Sequence, residues 1–239
     1  SSRPSIAQGR RLLKAPLTPS IARFTTFGGN EYRLGDLVHG FLARHFDGLN
    51  DTAVFCDRWP ESIGCEYTRS RRGPQDYEAF VRIVNARIDG AVRRNETACL
   101  APTRALVVHL RLGDVFDWPQ RYNCNATALH GRRDCHYAVR TSRYETLLGL
   151  QGVDQAVVVG DPWYRSWSLR HTGKSSLEYM NTVCNILRRR FRVTQHMSRK
   201  PDCDLLTMSS AAALASGRGG YARLAQAVVH RRNGRLVPL

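Results

Sequence analysis

Short apolar runs that do not alternate with polar residues constrain the fold of this chain most. Residues 105–113 read ALVVHLRLG, and residues 155–161 read QAVVVGD. A strand that is apolar on both faces is covered on both faces, which is typical of a parallel sheet. Segments with helical spacing separate these runs. The pattern therefore predicts βαβ units, an α/β fold class and a doubly wound sheet.

Further elements are predicted on both sides of these two strands. Residues 34–46 carry apolar side chains at helical spacing after a Gly28-Gly29-Asn30 turn, which predicts a helix, and residues 52–59 are predicted to form a short strand. The segment 76–94 is an amphipathic helix that begins at Asp76. Later segments are predicted as follows: a helix within 144–151, a helix at 176–191, a strand at 192–197, a strand or helix at 203–216 and a last helix within 217–232.

Composition shifts divide the chain into three parts. Residues 1–23 are basic and punctuated by proline, which predicts an extended lead-in or stem. The stretch 93–104 contains a glycosylation sequon and Pro102 and so predicts a linker. We therefore expect an N-terminal α/β half at 24–101 and a C-terminal half at 102–239.

Cysteines and sequons indicate the compartment. The chain has seven cysteines, and Asn50, Asn95 and Asn125 each begin an N-x-[ST] sequon. Short-loop disulfides are plausible for Cys56 with Cys65 and for Cys124 with Cys135, whereas the lack of a C-x-x-C pair disfavours zinc, so no metal is expected. These features predict the lumen of the secretory pathway (Golgi or endoplasmic reticulum) or a secreted protein. Because no long apolar run is present, membrane attachment would need an anchor that precedes Ser1.

The net charge of +16 narrows the class of partner. Such a basic surface attracts phosphates, nucleic acid or acidic glycans, although scattered arginines can also simply solvate a surface. A luminal compartment argues against nucleic acid.

Polar groups stand where ligands bind an open parallel sheet, at the carboxyl ends of the strands. Arg111 follows the first apolar run, Asp161 ends the second, and the turn 217–220 precedes the last helix. An arginine fork, an acidic group and the positive end of a helix suit a nucleotide diphosphate.

The residues at these ends resemble a known family. The stretch 109–114, HLRLGD, resembles the H-x-R-x-x-D signature of GDP-fucose-dependent fucosyltransferases and is closest to their protein O-fucosyltransferase branch. Residues 27–42 are similar to the Gly-Asn turn and helix that open those enzymes, and residues 204–228 are similar to their donor-site block. Where that block usually ends in Phe-Ser, this chain reads Gly219-Gly220-Tyr221-Ala222.

The resemblance implies a GT-B-like fold of two Rossmann-like halves. It also implies inverting transfer of fucose to a hydroxyl of a glycan or protein, without a metal or a cofactor other than the donor, GDP-fucose. Arg111 and Asp114 are the catalytic candidates. The donor-binding candidates are Asn30, His109, Arg111, Asp161, Ser216, Gly219, Gly220 and Tyr221.

Each candidate has a plainer interpretation. Arg111 could close a strand, and His109 could be a buried hydrogen-bonding residue. Asp114 could cap a turn, and Asn30 and Asp161 could be turn residues. Asp117 joins Asp114 and Asp161 as a candidate base, and the reaction need not have one. The whole chain could instead be a transferase of another sugar nucleotide, or a non-catalytic secreted module that binds acidic glycans.

Overall fold

A computed structural model describes residues 61–70, 76–117, 124, 135, 137–162, 173–197 and 201–239. The predicted stem, the predicted helix at 34–46, the predicted strand at 52–59 and the candidate Asn30 lie outside these residues.

Five parallel strands form one sheet in the order β3-β2-β1-β4-β5. They are β1 (Ala105–His109), β2 (Gln155–Val159), β3 (Arg192–His196), β4 (Ala213–Ser216) and β5 (Arg235–Val237). β1 is central, and the order along the sheet changes direction between β1 and β4. This arrangement is α/β and Rossmann-like, and it places the switch point beside the strand that carries His109.

Helices cover both faces of the sheet. They are α1 (Ile63–Ser70), α2 (Tyr77–Arg93), the short α3 (Asp114–Asp117), α4 (Lys174–Arg188), α5 (Pro201–Ser209) and α6 (Gly220–Arg231), with 3₁₀ helices at Thr97–Cys99 and Thr141–Gly149.

The strand β1 is covered on both faces, as its sequence predicts. All five of its residues are buried. Ala105 and Val107 belong to the core on the side of α2, α5 and α6, whereas Leu106 and Val108 belong to the core on the side of α4 and the second 3₁₀ helix.

The predicted helices at 76–94, 176–191 and 217–232 and the strand at 192–197 are confirmed. α2 begins where the sequence indicates, because the Asp76 carboxylate accepts a hydrogen bond from the Ala79 amide at 3.0 Å. In α6, Leu224, Ala225, Val228 and Val229 are buried, and Tyr221 packs at their edge.

Three elements differ from the sequence prediction. The segment 203–216 is not a single element, because α5 ends at Ser209 and β4 begins at Ala213. The helix at 144–151 is a 3₁₀ helix that begins earlier, at Thr141. β5 was not predicted, since it has only three residues and two of them are exposed.

The described part of the predicted N-terminal half packs on the sheet of the other half. α2 contacts α5 and α6, and Phe80 and Val84 share one core with Leu214 and Val228. A disulfide joins Cys99 to Cys203 of α5. The division at residue 101 stays a prediction.

Within the described ranges, every helix is too short or too polar to cross a membrane.

Candidate functional site

The carboxyl ends of β1 and β4 meet at the switch point of the sheet. His109, the last residue of β1, lies in register between Val159 of β2 and Ser216 of β4. The chain then continues through Arg111, so the first and the last sequence motifs of the candidate site meet at one edge.

His109 is buried, with 9% of its surface exposed. Its ring meets the Tyr221 ring edge-on, with the ring centroids 6.0 Å apart. Nδ1 finds no hydrogen-bond partner within the part of the chain that the structure describes. Burial, assisted by the positive charge of Arg111, lowers the pKa of His109 to about 4. The imidazole is therefore neutral at physiological pH.

Arg111 lies over the ring of Tyr137, which also lines the cavity described below. Its Cζ is 5.4 Å from the centroid of the Tyr137 ring, within cation–π range. The residue is partly buried. A guanidinium group can donate two parallel hydrogen bonds to a phosphate.

The turn from β4 to α6 forms the facing wall. Ser216 Oγ accepts a hydrogen bond of 2.8 Å from Gln226 Nε2. A Cβ on Gly217 would stand 3.1 Å from the Tyr137 carbonyl oxygen, so only glycine fits here without displacing a neighbour. Gly219 precedes α6, and no side chain caps the helix there. The backbone of this turn thus presents the positive end of α6 to the site.

A cavity of about 190 Å³ lies against the β4–α6 turn; Tyr137, which stacks on Arg111, lines it, whereas His109 and Arg111 do not. Its lining residues come from the segment before the second 3₁₀ helix, from the β4–α6 turn and from the C-terminal end: Cys135, Tyr137, Ala138, Val139, Ser216, Gly217, Arg218, Arg223, Gln226 and Leu239.

Two arginines of this cavity were not among the sequence candidates. Arg218 and Arg223 are exposed, and neither pairs with a carboxylate among the residues described. Arg189 and Arg232, by contrast, pair with Glu145 and Asp89. The sequence did contain a signal for Arg218 as a site residue, because it lies inside a glycine-rich turn before a helix.

Asp161 and Asp114 lie outside the cavity lining, whereas the other remaining candidates lie at or beside the site. Asp161 follows β2 and is exposed, on the side of β1 opposite to β4. Asp114 begins α3 directly after Gly113, whose amide donates to the Ser176 hydroxyl of α4 at 2.8 Å. The structure describes only the backbone of Asp114. Ser216 lines the cavity, Gly219 and Gly220 lie where α6 begins, and Tyr221 contacts His109.

Comparison with known proteins gives little to set beside this geometry. No family model matches the chain, and no curated protein does. Among solved structures, the chain is similar to POFUT1 in complex with GDP, with 10% sequence identity and a TM-score of 0.38. The match covers 65% of this chain and 46% of that one.

Proposed function

We propose that this chain is a glycosyltransferase that moves fucose from GDP-fucose to a hydroxyl of a glycan or protein, with inversion and without a metal. The observation that carries the proposal is the position of Arg111. It follows the central strand at the switch point, and the stretch 109–114 around it resembles the fucosyltransferase signature.

The charge at this edge of the sheet suits departure of a nucleoside diphosphate. As the bond from fucose to the diphosphate breaks, negative charge grows on the diphosphate and the sugar becomes oxocarbenium-like. In the proposal, Arg111 donates to the β-phosphate and stabilises that charge in the transition state. Arg218 and Arg223 add positive charge along the neighbouring cavity. The three guanidinium groups take the role that a divalent metal has in other transferases.

The turn before α6 holds the donor in a way that fits its composition. It offers backbone amides at Gly219 and Gly220 in place of side-chain hydroxyls. His109, neutral and adjacent to Ser216, lies beside the same site. Asp161 is exposed, and in the proposal it is one candidate base for the acceptor hydroxyl, with Asp114 and Asp117 as the others.

The proposal includes the wider architecture. Residues 24–101 would form the acceptor-side half of a GT-B-like enzyme, and residues 102–239 the donor-binding half. The Cys124–Cys135 bond, predicted from the sequence, and the Cys99–Cys203 bond fit a luminal or secreted protein. Asn95 is exposed and available to carry a glycan there.

Nucleotide selectivity tests the proposal. GDP and GDP-fucose should raise the melting temperature without added metal, while UDP should not, because the site recognises a guanosine diphosphate. Arg111→Ala should weaken this effect but leave GDP affinity measurable, and it should lower transfer by at least about a hundredfold, as removal of one transition-state donor does. Arg111→Lys should likewise show weaker GDP stabilisation and slower transfer, since the point charge of an ammonium cannot replace a planar bidentate donor.

Arg104→Ala is the matched control. Arg104 is exposed at the opposite end of β1, where it pairs with Asp154. This variant should bind GDP as the wild type does. If only UDP together with manganese stabilised the protein, the chain would be a transferase of another sugar nucleotide. Binding of acidic glycans without turnover of any sugar nucleotide would indicate a binding module.

A further inference from the structure

The segment 137–139 forms a wall of the site. Tyr137 touches both of the other walls. Its ring lies under the Arg111 guanidinium, and its carbonyl oxygen faces Gly217 in the β4–α6 turn. We propose that Tyr137 is a positioning residue, whose ring fixes the direction in which Arg111 meets an anion. Its consequence for nucleotide binding rests on the proposed function.

Hydrogen bonds anchor this segment at one end, at Val139. The Tyr179 hydroxyl of α4 donates to the Val139 carbonyl oxygen. The Tyr144 hydroxyl lies 3.0 Å from the Tyr179 hydroxyl, and both tyrosines are fully buried. A buried donor that loses its acceptor is costly, so the backbone at Val139 has little freedom to move.

A turn and a disulfide hold the same segment at its other end. The Cys135 amide donates to the Ala138 carbonyl oxygen at 2.8 Å, and Cys135 is bonded to the buried Cys124. Tyr137 therefore lies between two anchored points. The backbone that carries the Tyr137 ring is thus restrained on both sides.

Stacking on the Tyr137 ring favours anion binding by Arg111, because its side chain is long and only partly buried. Ordering an arginine costs side-chain entropy, which weakens any ligand that has to order it. The face of a tyrosine ring attracts the guanidinium and fixes the plane in which its N–H groups point. Tyr137 thus orders the Arg111 side chain before an anion binds.

A double-mutant cycle tests whether Tyr137 acts through Arg111. GDP affinity is measured by calorimetry for Tyr137→Leu and Tyr137→Phe, each in the wild type and in Arg111→Ala. Tyr137→Leu should weaken binding on the order of tenfold, and Tyr137→Phe should stay within about twofold because it keeps the ring. In Arg111→Ala, Tyr137→Leu should have no further effect. Equal losses in both backgrounds would overturn the proposal.

Tyr77→Leu is the matched control. Tyr77 is 38% exposed at the start of α2, outside the cavity lining. The control should leave GDP affinity unchanged, and melting temperatures show that each variant folds.

A second measurement keeps the positioning role separate from the proposed function. If the wild type binds no nucleotide, the proposed function fails, but the contact can still be observed. In protein labelled with ¹⁵N-arginine, the Nε–Hε signal of Arg111, assigned by its loss in Arg111→Lys, should carry a ring-current shift. That shift should vanish in Tyr137→Leu and persist in Tyr137→Phe. An Arg111 signal at the same chemical shift in the wild type, Tyr137→Leu and Tyr137→Phe would overturn the proposal.

Discussion

His109 shows how position alone sets the chemistry of a residue. An exposed histidine is partly charged near neutral pH, but this one is enclosed at the end of the central strand and next to a cation. Charging it inside the protein would cost the desolvation of an ion beside Arg111. The site thus holds a neutral imidazole near a permanent positive charge.

The depressed pKa of His109 predicts a loss of stability in acid. The folded value is about 4 and the ordinary value is 6.5, so the unfolded chain binds the proton more tightly. Unfolding therefore takes up a proton between these values, and stability falls as the pH is lowered from about 6.5 through 4. His109→Phe removes this contribution. Between pH 7 and 4.5 the wild type should lose roughly 2–3 kcal/mol more than the variant.

Urea unfolding of both proteins at the two pH values measures this difference. The same decline in both would show that His109 titrates normally in the folded state.

Sequence patterns could locate individual residues on the strands but not their neighbours. Arg111 was predicted at the end of a buried strand because that depends only on local order along the chain. The contact of its guanidinium with Tyr137 depends on how the segment at 135–139 is anchored by α4. Arg218 and Arg223 were missed for a related reason, since a cavity arises only when distant elements are packed together.

At the scale of elements, β1 and β2 come unusually close where they end. The Leu110 amide continues the ladder by donating to the Val159 carbonyl oxygen at 2.9 Å. A Cβ on Gly160 would lie 2.9 Å from the Leu110 carbonyl oxygen and 3.0 Å from Leu112 Cδ1. The backbone that carries Arg111 therefore rests directly against this glycine.

Gly160→Ala should accordingly weaken both the fold and the site. The new methyl group must push the segment Leu110–Leu112 away from β2, which should cost roughly 1–3 kcal/mol of unfolding free energy. GDP affinity should also fall, because Arg111 moves with that segment. Chemical denaturation and calorimetry measure the two effects.

Gly149→Ala provides the comparison. A Cβ there meets nothing within 4 Å, so the variant should match or slightly exceed the wild type in stability. If the two substitutions had equal effects, close approach of the backbone would not explain the glycine at 160.

Long and strongly patterned elements could be predicted from the sequence, whereas short ones could not. The helix α2 has a cap and one apolar face, and both are visible in the sequence. β5 is three residues long and lies at the edge, where its side chains need no apolar pattern. The segment 203–216 consists mainly of apolar and small residues without a clear period, so its division into a helix and a strand depends on tertiary packing rather than on periodicity.

At the scale of the molecule, one disulfide links two segments that are far apart in the sequence. Cys99 and Cys203 are 104 residues apart, and the bond joins the segment after α2 to α5. Between them lie β1, β2 and β3. Cross-linking so long a loop removes much of the freedom of the unfolded chain.

Removal of this disulfide should therefore destabilise the protein more than removal of the short one. Cys99→Ala with Cys203→Ala should lose about 4–5 kcal/mol by loop closure, against about 3 kcal/mol for Cys124→Ala with Cys135→Ala, whose cysteines are 11 residues apart. Equilibrium unfolding in guanidinium chloride measures both. A larger loss for the short loop would mean that local contacts, not chain entropy, dominate.

The topology as a whole was only partly predictable. Alternating strands and helices predict a parallel sheet, and the sheet is parallel. The strand order depends on which helices cover which face, and no local pattern contains that information. The described helix α2 of the predicted N-terminal half packs on the same core as β1, and the division into two halves at residue 101 stays a prediction. The role of residues 24–60 remains a prediction.

The central place of β1 has a consequence for how the protein is made. β1 is synthesised before both of its neighbours, and β2 and β4 follow only about 50 and 100 residues later. Until they emerge, an apolar strand leaves the ribosome with two unpaired edges, which is a condition that favours aggregation. Production of the chain should therefore depend on slow translation or on chaperones that shield a nascent strand, more than on the stability of the finished fold.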